Sequence, residues 1–146
     1  MNETQNISLN YFNKGYNCAQ SVLVAFAAQY KLDVNTALKI STAFGAGIAR
    51  KQAICGALTG AFMVIGLKYG KTLETDVQLK EKTYELTNNI TKEFAEVFGS
   101  ENCRDILGYD MNDEEQNKLI QQKNLHSLIC EKCVAHTVNW LTANGF

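Results

Sequence analysis

Proline is absent from this 146-residue chain. Because proline interrupts helices and the apolar residues recur at helical spacing, we predict an all-α fold. Cationic and anionic side chains nearly cancel, at 14 against 15, so the chain lacks the basic surface typical of nucleic-acid-binding proteins. The apolar stretch from Ile54 to Leu67 is shorter than the ~20 residues of a membrane-spanning helix. We therefore expect no nucleic-acid partner and no membrane insertion.

A secretory signal is missing as well, because the polar residues Met1–Asn6 contain no basic segment followed by an apolar one. We therefore expect a cytoplasmic protein, and disulfide bonds are rare in that compartment. Five cysteines in a reducing compartment indicate a metal, a cluster or a catalytic thiol rather than a disulfide framework. The length predicts one domain, residues 1–146, which we expect to be a compact multi-helix bundle with a glycine-rich central helix.

The hydrophobic spacing and the cap residues predict most helix positions. Asn17, Asp33 or Asn35, Asp113 and Ser127 are suitable N-caps. We predict a third helix that ends at Gly45, a last helix that follows Ser127, and helices over residues 4–14, 18–30, 52–69, 74–98, 102–107 and 113–123. Leu73, just before the 74–98 helix, and Leu79 and Leu86 within it suggest a second apolar contact surface. This surface predicts a homodimer or another partner subunit.

The segment around Cys55 has the most distinctive composition. A glycine-rich bend and two cations, Arg50 and Lys51, precede this cysteine, and small residues including Gly56 and Gly60 follow it. At the first turn of a helix, free N–H groups and the helix dipole favour a thiolate, and neighbouring cations lower a thiol pKa. The alternative is a small buried core residue. The glycine strip predicts a close helix crossing.

Four places in the chain put cysteine near a predicted helix start, at Cys18, Cys55, Cys103 and the Cys130/Cys133 pair. Helix N–H groups can donate hydrogen bonds to thiolates and to cluster sulfur atoms. This recurrence suggests that the helix ends converge on one anion or metal site.

Cys130 and Cys133 also form a C-x-x-C spacing, and His136 shares their helix face. This trio is compatible with zinc binding, a dithiol redox pair or plain packing. No second C-x-x-C accompanies it, so a zinc ribbon is not expected. His126 is expected to face solvent.

The segment Cys55–Gly60, CGALTG, resembles the central motif of the C_GCAxxG_C_C family of redox-active proteins. The resemblance extends over nearly the whole chain. It includes the segments GYNCAQ at 15–20, FGAGIAR at 44–50 and CRDILGYD at 103–110, and Cys130 followed by Val134.

This resemblance implies a small helical protein whose four signature cysteines are Cys18, Cys55, Cys103 and Cys130. The family is similar to a domain of split-Soret cytochromes, which implies an iron–sulfur cluster as cofactor. Cys133 lies outside the family pattern, so the last ligand is either Cys130 or Cys133. The chain has no C-x-x-C-H sequence, so covalent haem is not expected.

Three functions follow as hypotheses. The first is electron transfer to a redox partner through an iron–sulfur cluster on the four signature thiolates. The second is cluster-free thiol–disulfide exchange with Cys55 as the attacking thiolate. The third is a non-enzymatic helical binding module, in which the cysteines are core residues or ligands of a structural zinc.

Overall fold

The computed structural model describes residues 1–146 and confirms an all-α fold of eight helices. These are α1 Glu3–Asn13, α2 Cys18–Ala27, α3 Val34–Ser41, α4 Gly56–Tyr69, α5 Val77–Phe98, α6 Cys103–Leu107, α7 Glu114–Gln122 and α8 Glu131–Ala143. A 3₁₀ turn, Thr42–Phe44, follows α3, and a π-helical turn, His126–Cys130, leads into α8. No helix is both long enough and apolar enough to cross a bilayer.

Side-chain caps begin several helices where the sequence predicts them. The Asn17 side chain accepts from the Gln20 backbone N–H at the start of α2, and Gln20 returns a bond to the Asn17 N–H. The Asp33 and Asp113 side chains accept from the Thr36 and Gln116 backbone N–H groups at the starts of α3 and α7, without a return bond. The predicted Ser127 cap is wrong, because Ser127 lies inside the π-helical turn and α8 begins only at Glu131.

Helices α2 and α4 form the centre of the bundle, and the other helices pack around them. The core side chains include Phe26 of α2, Leu58 of α4, Phe94 of α5 and Val134 of α8, all fully buried. Most residues of α4 are buried, as expected of a central helix rich in small residues.

The crossing of α2 and α4 is close because glycines replace side chains at the contact. A Cβ atom on Gly60 would lie 2.8 Å from the Ala19 carbonyl oxygen. A Cβ atom on Gly56 would lie 3.1 Å from both the Ala19 nitrogen and the Cys18 Cβ. The glycine strip therefore lets the starts of α2 and α4 lie side by side, with Cys18 next to the Cys55–Gly56 segment.

The approach to α4 differs from the sequence prediction. Residues Ala46 to Arg50 all have left-handed backbone angles, with φ between +51° and +68°. Each non-glycine residue in this conformation costs roughly 1–2 kcal/mol. Gln52 is also left-handed, so the helix predicted to begin there begins at Gly56 instead.

Helix α5 buries less of its surface than its sequence pattern indicates. Only Ile90 and Phe94 are fully enclosed, whereas Leu79 is exposed, as is Leu73 before the helix. Leu86 packs against the core and is not part of an outer apolar face.

The crossing gives a prediction about stability. Gly60→Ala forces a methyl group against the Ala19 carbonyl oxygen, so urea unfolding should show a loss of about 1–3 kcal/mol. The matched control is Gly66→Ala in the same helix, where nothing lies within 4 Å of the new Cβ. Alanine is the better helix former, so this control should raise stability by up to about 1 kcal/mol. Equal effects of the two variants would contradict the close crossing.

Candidate functional site

All five cysteines line one cavity of about 420 Å³. They come from five parts of the chain: the start of α2, the residue before α4, the start of α6, the π-helical turn and the first turn of α8. None is in a disulfide. Apolar and aromatic side chains complete the wall, among them Phe12, Tyr16, Ile106, Leu107 and Met111. The structure therefore brings together every cysteine that the sequence analysis singled out.

Backbone pairing fixes the positions of Cys55 and Cys103 relative to each other. The Cys55 N–H donates to the Glu101 carbonyl oxygen at 2.8 Å, and the Cys103 N–H donates to the Ala53 carbonyl oxygen at 2.7 Å. Cys103 is the first residue of α6, and Cys55 immediately precedes α4. The expectation that cysteines lie at helix starts is met here and at Cys18.

Cys18 and Cys130 form one thiol pair. A hydrogen bond with Cys130, followed by burial, raises the pKa of Cys18 well above its ordinary value. The same bond lowers the pKa of Cys130 to about 5, with a further contribution from His126. The His126 Nδ1 lies 3.6 Å from the Cys130 Sγ. The contacts with Cys18 and His126 therefore favour the thiolate form of Cys130.

Cys55 and Cys133 form a second thiol pair. A hydrogen bond with Cys133 lowers the pKa of Cys55 against the opposing effect of burial, and the backbone N–H of Ala57 in the first turn of α4 contributes. The same pairing raises the pKa of Cys133. The predicted contribution of the helix start is present, whereas the predicted cations Arg50 and Lys51 are not among the main causes, and the partner thiol is the largest one.

Cys103 has no thiol partner of this kind. Burial raises its pKa to about 12, and the nearby charges of Cys55 and Cys130 act in the same direction. It is therefore a neutral thiol in the structure.

The donors are spread around the cavity. No three His, Cys, Asp or Glu side chains are close enough together to hold a single metal ion. His136 does not line the cavity: its ring packs against Phe94 and Phe98, and its Nε2 lies 3.6 Å from the Glu93 Oε1. The helix-face pattern that placed His136 with Cys130 and Cys133 does not join the three at one site.

Two residues of the site had no signal in the sequence analysis. Gln52 is buried, donates from Nε2 to the Tyr109 carbonyl oxygen at 2.9 Å, and accepts from the Met111 N–H at 2.9 Å. It holds the segment after α6 against the left-handed turn. His126 is exposed as expected, yet it also lines the cavity and contacts Cys130.

The thiol pKa values predict distinct alkylation profiles. The rate at which iodoacetamide modifies Cys130 should be nearly constant above about pH 6 and should fall below pH 5, whereas Cys103 should become steadily more reactive up to pH 9. Replacing His126 by Asn should shift the Cys130 profile to higher pH, because a hydrogen bond to the thiolate is lost. His136→Asn is the control. Peptide mapping measures each rate, and an unchanged profile in His126→Asn would contradict this assignment.

Gln52 gives a second prediction. Gln52→Ala leaves the Tyr109 carbonyl and the Met111 N–H without their partner, so unfolding should lose about 2–4 kcal/mol. The matched control, Gln122→Ala at the exposed end of α7, should change stability by less than about 0.5 kcal/mol. Denaturant unfolding of both variants tests this role. A loss of stability in Gln52→Ala that is no larger than the loss in the control would refute it.

Comparison with known proteins identifies the family of the chain. No curated protein and no solved structure matches the chain. A protein-family model, described as "Putative redox-active protein (C_GCAxxG_C_C)", matches residues 16–144. The match includes all five cysteines of the cavity. The chain therefore belongs to the C_GCAxxG_C_C family of redox-active proteins.

Proposed function

We propose that the cavity holds a thiolate-ligated iron–sulfur cluster and that the protein transfers electrons through it. The observation that carries this proposal is the gathering of five unbridged thiols, distant along the chain, around one cavity of about 420 Å³.

The donor set fits such a group. The cavity wall contains five thiols and one imidazole but no carboxylate. Soft thiolate ligands favour iron–sulfur clusters, zinc and copper(I) over hard cations. A single ion needs at least three ligands around one point, and the spacing of the side chains does not provide them. A group with several iron atoms presents more than one point of attachment, so it suits the spread of sulfurs better.

The family positions Cys18, Cys55, Cys103 and Cys130 would hold the group, which supplies reversible electron transfer when bound. The pKa values of Cys55 and Cys130 are lowered, which favours the deprotonated sulfur that a metal ligand requires. The Ala57 N–H donates to the Cys55 sulfur, and Ile106 and Leu107 form an apolar part of the wall. Hydrogen bonds to sulfur and exclusion of water are the means by which a protein adjusts the potential of such a group.

This proposal predicts the composition of the protein purified without oxygen or reconstituted with iron and sulfide. Iron and acid-labile sulfide should be present in equal amounts, with visible absorption that bleaches on reduction. Cys55→Ser, which replaces a thiolate ligand with a poor one, should lose most of both.

Two further variants locate the fourth ligand. If Cys130 fills that position, Cys130→Ser should lose the iron and Cys133→Ser should retain it. The reverse result would assign the position to Cys133. Protein that contains neither iron nor sulfide after reconstitution would contradict the cluster.

Thiol–disulfide exchange is the second candidate, and the thiol pairing favours it. Cys18 lies against Cys130 and Cys55 lies against Cys133, so an attacking thiol in either pair has a second thiol within reach to resolve the mixed disulfide. A colourless protein in which a disulfide substrate induces a Cys55–Cys133 or Cys18–Cys130 bridge would favour this function over the cluster.

A further inference from the structure

A second pocket, of about 350 Å³, adjoins the thiol cavity. We call it the outer pocket; it is lined by Ala46, Arg50, Met111, Asn117, Gln121 and His126. Three of these residues, Ala46, Met111 and His126, also line the thiol cavity, so the two spaces share a wall.

The polar groups of the outer pocket suit an anion. Arg50 takes part in none of the ion pairs of the structure, which are Arg104–Asp110, Lys118–Glu114 and His136–Glu93. The side-chain amides of Asn117 and Gln121 make none of the hydrogen bonds found within the protein, and no acidic residue lines the pocket. A guanidinium and two free amides can together donate several hydrogen bonds to oxygen atoms of a negatively charged group.

The backbone is strained where it forms this pocket. Ala46 and Arg50 are the two ends of the left-handed turn, and both line the outer pocket. Strained, non-glycine backbone of this kind persists where the surrounding structure holds it, commonly at ligand sites. The Asn112 side-chain amide donates to the Arg50 carbonyl oxygen at 2.7 Å and helps to hold the turn.

The outer pocket leads to a thiol. The His126 imidazole lies between the two spaces, with its Nδ1 3.6 Å from the Cys130 Sγ. A group held by Arg50 would therefore sit beside the wall that carries Cys130. The volume falls in the range of small-molecule sites.

We infer that the outer pocket binds a small anion, with a carboxylate or an inorganic oxyanion as its charged group, and holds it next to the wall that carries Cys130. The inference goes beyond the proposed redox function and does not depend on it. Arg50 is the residue that selects for negative charge, and Asn117 and Gln121 orient the bound oxygens.

The test compares two alkylating agents of similar size on the full-length, reduced, cluster-free protein at constant pH and ionic strength. Iodoacetate carries a carboxylate, and iodoacetamide is neutral. In both reactions the Cys130 thiolate displaces iodide. We expect Arg50→Gln to lower the ratio of the iodoacetate rate to the iodoacetamide rate at Cys130 by roughly fivefold, since a unit charge near the site is lost. The rate with iodoacetamide should be unchanged, which shows that the variant is folded around Cys130.

Lys51→Gln is the matched control, because Lys51 is the adjacent cation and lies outside both pockets. Its rate ratio should equal that of the wild type. An unchanged ratio in Arg50→Gln, or an equal fall in both variants, would overturn the inference.

Competition with added anions identifies which charged group the outer pocket binds. Acetate or sulfate, added at constant ionic strength, should slow modification of wild-type Cys130 by iodoacetate but not that of Arg50→Gln. Protection by acetate indicates a carboxylate, protection by sulfate indicates an oxyanion, and protection by neither contradicts the site. Because the protein carries no cluster in this assay, the result is independent of the iron and sulfide analysis.

Discussion

The close approach of α2 to α4 is the constraint on which the cavity depends. A side chain at Gly60 would collide with the Ala19 carbonyl oxygen, and one at Gly56 would crowd the Ala19 backbone nitrogen. With glycine at both positions, the start of α2 lies beside the start of α4, and Cys18 and Cys55 face the same space. Helix α8 packs on both, so Cys130 and Cys133 reach that space from its other side. The close crossing of α2 and α4 therefore determines both how the bundle packs and which thiols share the cavity.

The electrostatics of the cavity follow from that packing. Buried thiols resist ionisation, and at Cys103, which has no partner thiol, burial is the largest cause of the raised pKa. Cys55 and Cys130 escape it because each has a second thiol that stabilises the thiolate by hydrogen bonding. The division into thiolates and thiols thus arises from how the cysteines are paired more than from the cations near them in sequence.

Much of this architecture is readable from the sequence, and the exceptions have physical causes. The caps at Asn17, Asp33 and Asp113 are predictable because capping depends on the cap residue and its near neighbours in sequence. The glycine strip is predictable because it follows helical spacing. The left-handed turn from Ala46 to Arg50 is not predictable from the sequence. Only Gly47 among its residues favours that conformation, and tertiary contacts impose it on the other four.

Two other features depend on the fold as a whole. Gln52 looks like any polar residue until the segment at Tyr109 folds back onto it. The π-helical turn includes His126, which the sequence analysis left outside the last helix, so His126 lies one turn before Cys130 and contacts it. For α5, periodicity identifies an apolar face, but not how much of that face the bundle covers.

The central claim is that thiols from separate helices share one redox-active group. X-ray absorption at the iron edge of the reconstituted protein tests this most directly. The account predicts iron surrounded by sulfur alone, with a second iron at short distance, and loss of that signal in Cys55→Ser. Iron bound only by oxygen or nitrogen, or a signal that Cys55→Ser leaves unchanged, would contradict it.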